Sequence, residues 1–189
     1  MKQAGMLGVA VSSTSLTSTV LAAVGAKQNL VPPIAVIDPM ASRRIHLVNA
    51  HTGDDLNVVY YTHGIYIDEN IEQLNHLMRD RRANATIDMD TALYDQLLGV
   101  QTILGIQKPV HILSGYRTAE TNAKLRRRSS GVAKFSLHME GRAADIFIPS
   151  VPVDKLHEAA VKMQAGGVGL YSNSNFVHLD TGALRHWGS

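Results

Sequence analysis

The chain has 189 residues, 45% of them apolar and 18% charged, with 18 Lys and Arg against 16 Asp and Glu and a net charge of +2. That describes one domain with enough apolar surface for a core, and it excludes both a chain without fixed structure and a strongly electrostatic nucleic-acid binder. There is no cysteine, so disulfide scaffolds, iron–sulfur clusters and thiol catalysis are excluded, and any metal site must be built from the nine histidines and the carboxylates.

Residues 1–26 carry one charge, Lys2, and end in Leu21-Ala22-Ala23-Val24-Gly25-Ala26. A positive start, an apolar middle and small residues before Lys27 read as a signal-like leader. The run Ser12-Ser13-Thr14-Ser15 makes it too polar for a membrane span. Residues 27–42, with Val31-Pro32-Pro33 and Asp38-Pro39, read as an extended linker. The domain proper is 43–189. Strands at 44–49 and 56–61 flank the turn His51-Thr52-Gly53-Asp54-Asp55 as a hairpin. A helix opens at Tyr66-Ile67-Asp68 with Ile71, Leu74, Leu77 and Met78 at helical spacing. Asp88-Met89-Asp90 caps a second helix that carries Leu93, Leu97, Val100 or Gln101, and Leu104 on one face. A short strand at 110–113, a helix at 118–128, a strand at 145–148 ended by Pro149, and a helix at 156–165 stopped by Gly166-Gly167 follow. A last hairpin pairs 168–171 with 176–180 across Ser172-Asn173-Ser174-Asn175. This order predicts a segregated α+β domain: a small antiparallel sheet with helices packed on one side.

The chemistry-bearing residues gather in the second half. His138 lies in a loop before a strand that begins at Asp145. In the strand Phe176-Val177-His178-Leu179-Asp180, alternation puts Phe176, His178 and Asp180 on one face. Two His and one Asp form a normal ligand set for zinc and leave a fourth position open. Gly141 and Ala143 between them let the loop turn sharply. The same residues also suit hydrogen-bonded structural roles.

The pattern Ser136-x-His138-x-x-Gly141-x-Ala143-x-Asp145, followed by a strand histidine, resembles the zinc peptidases of the D-alanyl-D-alanine carboxypeptidase type, in the group that includes lysostaphin and the hedgehog zinc fold. Leu113-Ser114-Gly115-Tyr116-Arg117, the stretch Arg126 to Lys134, and Phe176-Val177-His178-Leu179-Asp180-Thr181-Gly182 bring it nearer to a branch of exported bacterial murein endopeptidases. The likeness runs over residues 43–188. It implies a zinc site on the sheet with His138, Asp145 and His178 as ligands, and peptidoglycan as substrate. It also implies Arg117 bound to a peptide carboxylate or the developing oxyanion, with Ser136 beside the substrate or in a turn role; Tyr116 and Tyr171 read as substrate-lining residues of the cleft or as half-buried packing.

The general base is the open point. The carboxypeptidases of this group carry Glu-x-x-His, and here that place is Asn175, which accepts no proton as a base. Asp180 or His186 would then supply the proton acceptor, or the site manages with Asn175 orienting the water, or the site is slow or inactive. Asp180 serves equally as the residue that holds a zinc histidine in its tautomer. Arg126-Arg127-Arg128 closes a helix, where cations are stabilised by the dipole, and reads as a solvated end or as a hold for anionic wall polymer. The expectation is thus a monomeric, exported or periplasmic zinc peptidase. It would have no nucleic-acid partner and would touch the membrane only through an uncleaved leader. The alternative is a weak or inactive zinc-containing protein that binds peptidoglycan.

Overall fold

A computed structural model of the chain describes residues 1, 40–129 and 131–188. The leader and nearly all of the linker read from the sequence lie outside the described residues. No helix among the described residues is long and apolar enough to cross a membrane. Eight strands form one sheet: β1 (Arg43–Asn49), β2 (Asp55–Thr62), β3 (Ile65–Tyr66), β4 (Val110–Ser114), β5 (Ala143–Phe147), β6 (Gly167–Tyr171), β7 (Phe176–Asp180) and β8 (Arg185–Trp187). Four helices accompany it: α1 (Asp68–Leu77), α2 (Thr91–Leu104), α3 (Ala119–Arg126) and α4 (Val153–Lys162). The sheet order is β3-β2-β1-β4-β5-β7-β6-β8.

The α+β class holds, but the sheet is neither small nor purely antiparallel. β1 pairs with β4 in parallel, with Leu47 opposite Val110, and β6 pairs with β8 in parallel, with Gly167 opposite Arg185. The physical cause is connection length. The chain leaves the β1–β2 hairpin, runs through α1 and α2, and has enough residues to re-enter the sheet beside β1 in the same direction. β8 is three residues long, too short to show a period.

Local signals explain the elements. Asp90, not Asp88, caps α2 and accepts from Ala92 N at 3.0 Å; Gly105 ends the helix in the left-handed conformation (φ 64°). Thr118 caps α3 through its hydroxyl. Leu93, Leu97 and Val100 of α2, Leu74 and Leu77 of α1, and Leu156 and Ala160 of α4 are buried against one face of the sheet. There they meet Ile45, Leu47, Val110, Ile112, Ile146, Val177 and Leu179 in a single core. Each fully buried aliphatic side chain contributes about 1.5–3 kcal/mol. The strands obey alternation, so the residues between these, Asp145 on β5 and His178 and Asp180 on β7, lie on the other face.

Candidate active site

The three expected ligands come together on that second face. Asp145 and His178 are directly opposite in the β5–β7 ladder, and facing pairs in antiparallel strands hold their side chains about 5 Å apart at the Cβ. His138 arrives from a 3₁₀ turn, Leu137–Glu140, rather than from a simple loop; Gly141 ends the turn at φ 69°, where L side chains are strained. His138 Nε2 is 3.2 Å from Asp145 Oδ1 and 3.2 Å from His178 Nδ1, and His178 Nδ1 is 2.8 Å from Asp145 Oδ1.

Hydrogen bonds behind the cluster decide what it can hold. His138 Nδ1 lies 2.7 Å from the Gly115 carbonyl, which only accepts, so the proton is on Nδ1 and Nε2 carries a lone pair. His178 Nε2 lies 3.0 Å from Asp180 Oδ2, which puts its proton there and a lone pair on Nδ1. Asp145 Oδ1 adds a third lone pair. Three such pairs aimed at one another repel unless a cation lies among them. Ligand atoms about 2.0–2.1 Å from a tetrahedral ion are spaced by about 3.3 Å, close to the separations seen here. The donor set therefore fits a divalent metal.

The electrostatics agree at His138 and Asp145, and at His178 they favour the imidazolium, whose Nδ1 proton a metal ion would displace. Burial pushes the His138 imidazole below its ordinary value, with Asp145 opposing and Arg117 and His178 reinforcing the shift. A neutral imidazole is the form that ligates. Burial would raise Asp145, but His138, His178 and Arg117 hold its carboxyl well below the usual range. His178 is pulled down by burial and raised overall by its bonds to Asp145 and Asp180.

Arg117 follows β4. Its backbone N–H donates to the His138 carbonyl at 3.0 Å, its Nε donates to Ser114 Oγ at 2.7 Å, and its Nη2 donates to Asp145 Oδ2. The guanidinium thus faces the ligand carboxylate while lining a cleft of about 470 Å³ with His138, Asp145, His178 and Ser136. Ser136 is buried at the start of the 3₁₀ turn. Tyr116 does not line this cleft; it packs on the core and borders a separate small recess.

The candidate bases separate clearly. Asp180 is fully buried, and five donors occupy its two oxygens: His178 Nε2, both Arg185 Nη atoms, and the backbone N–H groups of Gly167 and Gly182. Burial would raise its carboxyl, but the bonds from His178, Arg185 and Gly182 hold it far below the ordinary value. His186 is exposed; its neighbours on β8, Arg185 and Trp187, take the site face, and His186 sits on the opposite face, within electrostatic range of His157 on α4. Asn175 is exposed in the left-handed conformation (φ 54°) that turns β6 into β7, and it does not line the cleft.

Two cleft residues escape the sequence reading. Arg185 clamps Asp180 in a two-pronged contact at 3.0 and 2.7 Å. Trp187 lies 5.4 Å from the His178 ring and donates to Tyr171 Oη at 3.3 Å, and Tyr171 stacks on Phe176 at 4.4 Å. Gly169 makes room: a Cβ there would fall 2.5 Å from the Trp187 ring. The sequence offers little signal for Arg185 and Trp187, because β8 is too short to show a period and its pairing with β6 is non-local.

Residues 38–187 match the model of the family described as peptidoglycan L,D-endopeptidase MepK, a branch of the M15 peptidases. The chain belongs to that family. It is 44% identical over 165 residues to the peptidoglycan L,D-endopeptidase MepK of Escherichia coli K12, covering 87% of this chain and 91% of that one. The Shigella flexneri protein of the same name shows the same identity and coverage. The probable peptidoglycan L,D-endopeptidase MepK of Haemophilus influenzae is 37% identical over 155 residues, covering 82% and 83%. No solved structure matches the chain significantly.

Proposed function

We propose that this protein is an exported zinc peptidase that hydrolyses L,D-peptide bonds in the cross-links of peptidoglycan. Three convergent, proton-free lone pairs, on His138 Nε2, Asp145 Oδ1 and His178 Nδ1, carry the reading. They sit in an open cleft of a peptidase family whose curated members are named for this bond and this polymer.

A zinc ion held by these three residues would polarise the scissile carbonyl and lower the pKa of an attacking water. The chain's own residues do the rest. The Gly115 carbonyl and Asp180 orient the two imidazoles, which keeps both ligating nitrogens free of protons. Arg117 fixes Asp145 through Oδ2 and presents a fixed positive charge at the cleft wall, where negative charge grows on the carbonyl oxygen. Ser136 and the Tyr171–Phe176–Trp187 wall border the peptide. Asp180 acts through His178, because its oxygens are occupied. Among the described residues, the carboxylates lining the cleft are Asp145 and Asp180, and both are engaged, so none of them is a free carboxylate for the attacking water. A slow or inactive binding protein is the reading this would favour, and turnover decides between the two.

Purified murein digested with the protein should release products of L,D cleavage, lose that release in chelator and regain it with added zinc. Release that ignores chelator, or cleavage confined to D,D bonds, overturns the proposal. Arg117→Lys should retain zinc and fold yet lose about 10²-fold or more in turnover, since an ammonium cannot bridge Ser114 and Asp145 while facing substrate. Equal turnover of the two forms would show that Arg117 only braces the loop.

A further inference from the structure

Beside the cleft stand arginines that the catalytic reading leaves unused. Arg81 and Arg82 occupy the turn after α1, and Arg126, Arg127 and Arg128 close α3; all five are exposed. Their side chains form no hydrogen bond or salt bridge among the described residues. Nearby acids are already engaged. Asp54 takes Arg79 at 2.6 Å, and Glu120 takes Lys124 while also facing Arg127.

The turn that carries Arg81 and Arg82 is held in place. Asp80 is 2% exposed. Its Oδ2 accepts from both the backbone N–H and the hydroxyl of Thr118 at 2.9 Å, and its Oδ1 accepts from Arg82 N at 3.0 Å. Tyr116 N donates to the Met78 carbonyl at 2.8 Å, and Gly115 lets these backbones touch, since a Cβ there would fall 2.4 Å from that carbonyl. The 78–83 turn is therefore locked to the 114–118 loop that carries Arg117. Arg82 lies within electrostatic range of Arg81, Arg117 and Arg128, which crowd it, and of Asp80, which offsets them in part. Arg117 also lines, with Arg79, Arg81 and Arg82, a recess of about 20 Å³ that opens beside the cleft. That volume admits about one water-sized group.

Like charges fixed side by side repel; the buried Asp80 offsets Arg82 in part, but its oxygens are already engaged by Thr118 and the turn backbone, and an anion would relieve Arg81, Arg82 and Arg128 further. Guanidinium forks match carboxylates in particular. We propose that Arg82 and Arg128, with Arg81, form a carboxylate-binding rim that seats the free carboxylates of the peptidoglycan peptide stems on the Arg117 side of the cleft. The inference rests on the peptidase reading for its substrate, and it adds a subsite that selects anionic over amidated stems. It also makes binding weaken as salt rises.

Binding of monomeric muropeptides, which carry no cross-link to cut, tests it on the intact protein. Free-acid muropeptide should bind about 5–10-fold more weakly to the double variant Arg82→Gln/Arg128→Gln than to wild type, the order expected for two exposed ion pairs. Fully amidated muropeptide should bind both proteins alike. Amidation of one stem carboxylate at a time identifies which one is seated. On cross-linked substrate the variant should raise KM by the same factor with kcat, zinc content and melting temperature unchanged. Equal binding of acid and amide forms by wild type, or equal losses for both in the variant, overturns the rim. Wild type that prefers the acid form yet cuts no L,D bond would overturn the peptidase reading and leave the rim standing.

Discussion

Replacing His138, Asp145 or His178 by alanine should each abolish stoichiometric zinc and, with it, hydrolysis of murein. Each supplies one of three donors that stand 2.8–3.2 Å apart, and two remaining donors do not hold zinc tightly. The three variants should differ in stability. Asp145→Ala also strips the guanidinium of Arg117 of its buried partner; both side chains are about nine-tenths buried. Removing one member of such a pair costs about 3–5 kcal/mol. His138→Ala leaves the Gly115 carbonyl without its donor, an effect of about 1–3 kcal/mol. Elemental analysis and thermal unfolding read both quantities. Full zinc in any one of the three would remove that residue from the site.

Asp180→Asn should lower zinc affinity about 10–100-fold and stability by about 1–3 kcal/mol, with turnover largely recovered at saturating zinc. The reason is the crowding of donors. An amide nitrogen at the Oδ2 position would face the His178 and Arg185 N–H groups; at the Oδ1 position it would face Gly167, Gly182 and Arg185. Either orientation points donor at donor and loosens His178. A residue acting as general base would behave otherwise, leaving zinc in place while turnover fell about 10²–10⁴-fold. Zinc affinity and turnover of the one variant therefore separate the roles. The restored carboxylate of Asn175→Glu should do little, because position 175 is exposed, does not line the cleft and would place Glu at φ 54°.

Much of the fold follows from local chemistry. The β1–β2 and β6–β7 hairpins need only alternating residues and turn formers between them, and α2 and α3 begin at Asp90 and Thr118 because those side chains cap their own N–H groups. The common face of His178 and Asp180 also follows from strand dihedrals alone. The parallel partners of β1 and β6 do not, since nothing in Leu47 or Gly167 specifies a strand 63 or 18 residues away.

The site divides along the same line. Ser136, His138, Gly141 and Asp145 lie within ten residues, and a short motif with one left-handed glycine constrains itself. By contrast, the occupancy of Asp180 depends on Arg185 from β8 and on the backbone N–H groups of Gly167, which opens β6, and of Gly182, in the turn after β7. Which side His186 takes depends on the parallel register of β8 with β6, and the arginine rim depends on Asp80 locking two turns 38 residues apart. The sequence by itself determined strand alternation, caps, turns and the residue types of the metal cluster, because those act over one to four residues. Tertiary structure alone decided which carboxylate is free, which histidine faces the cleft and which arginines lack partners, because hydrogen bonds and ion pairs are set by neighbours in space.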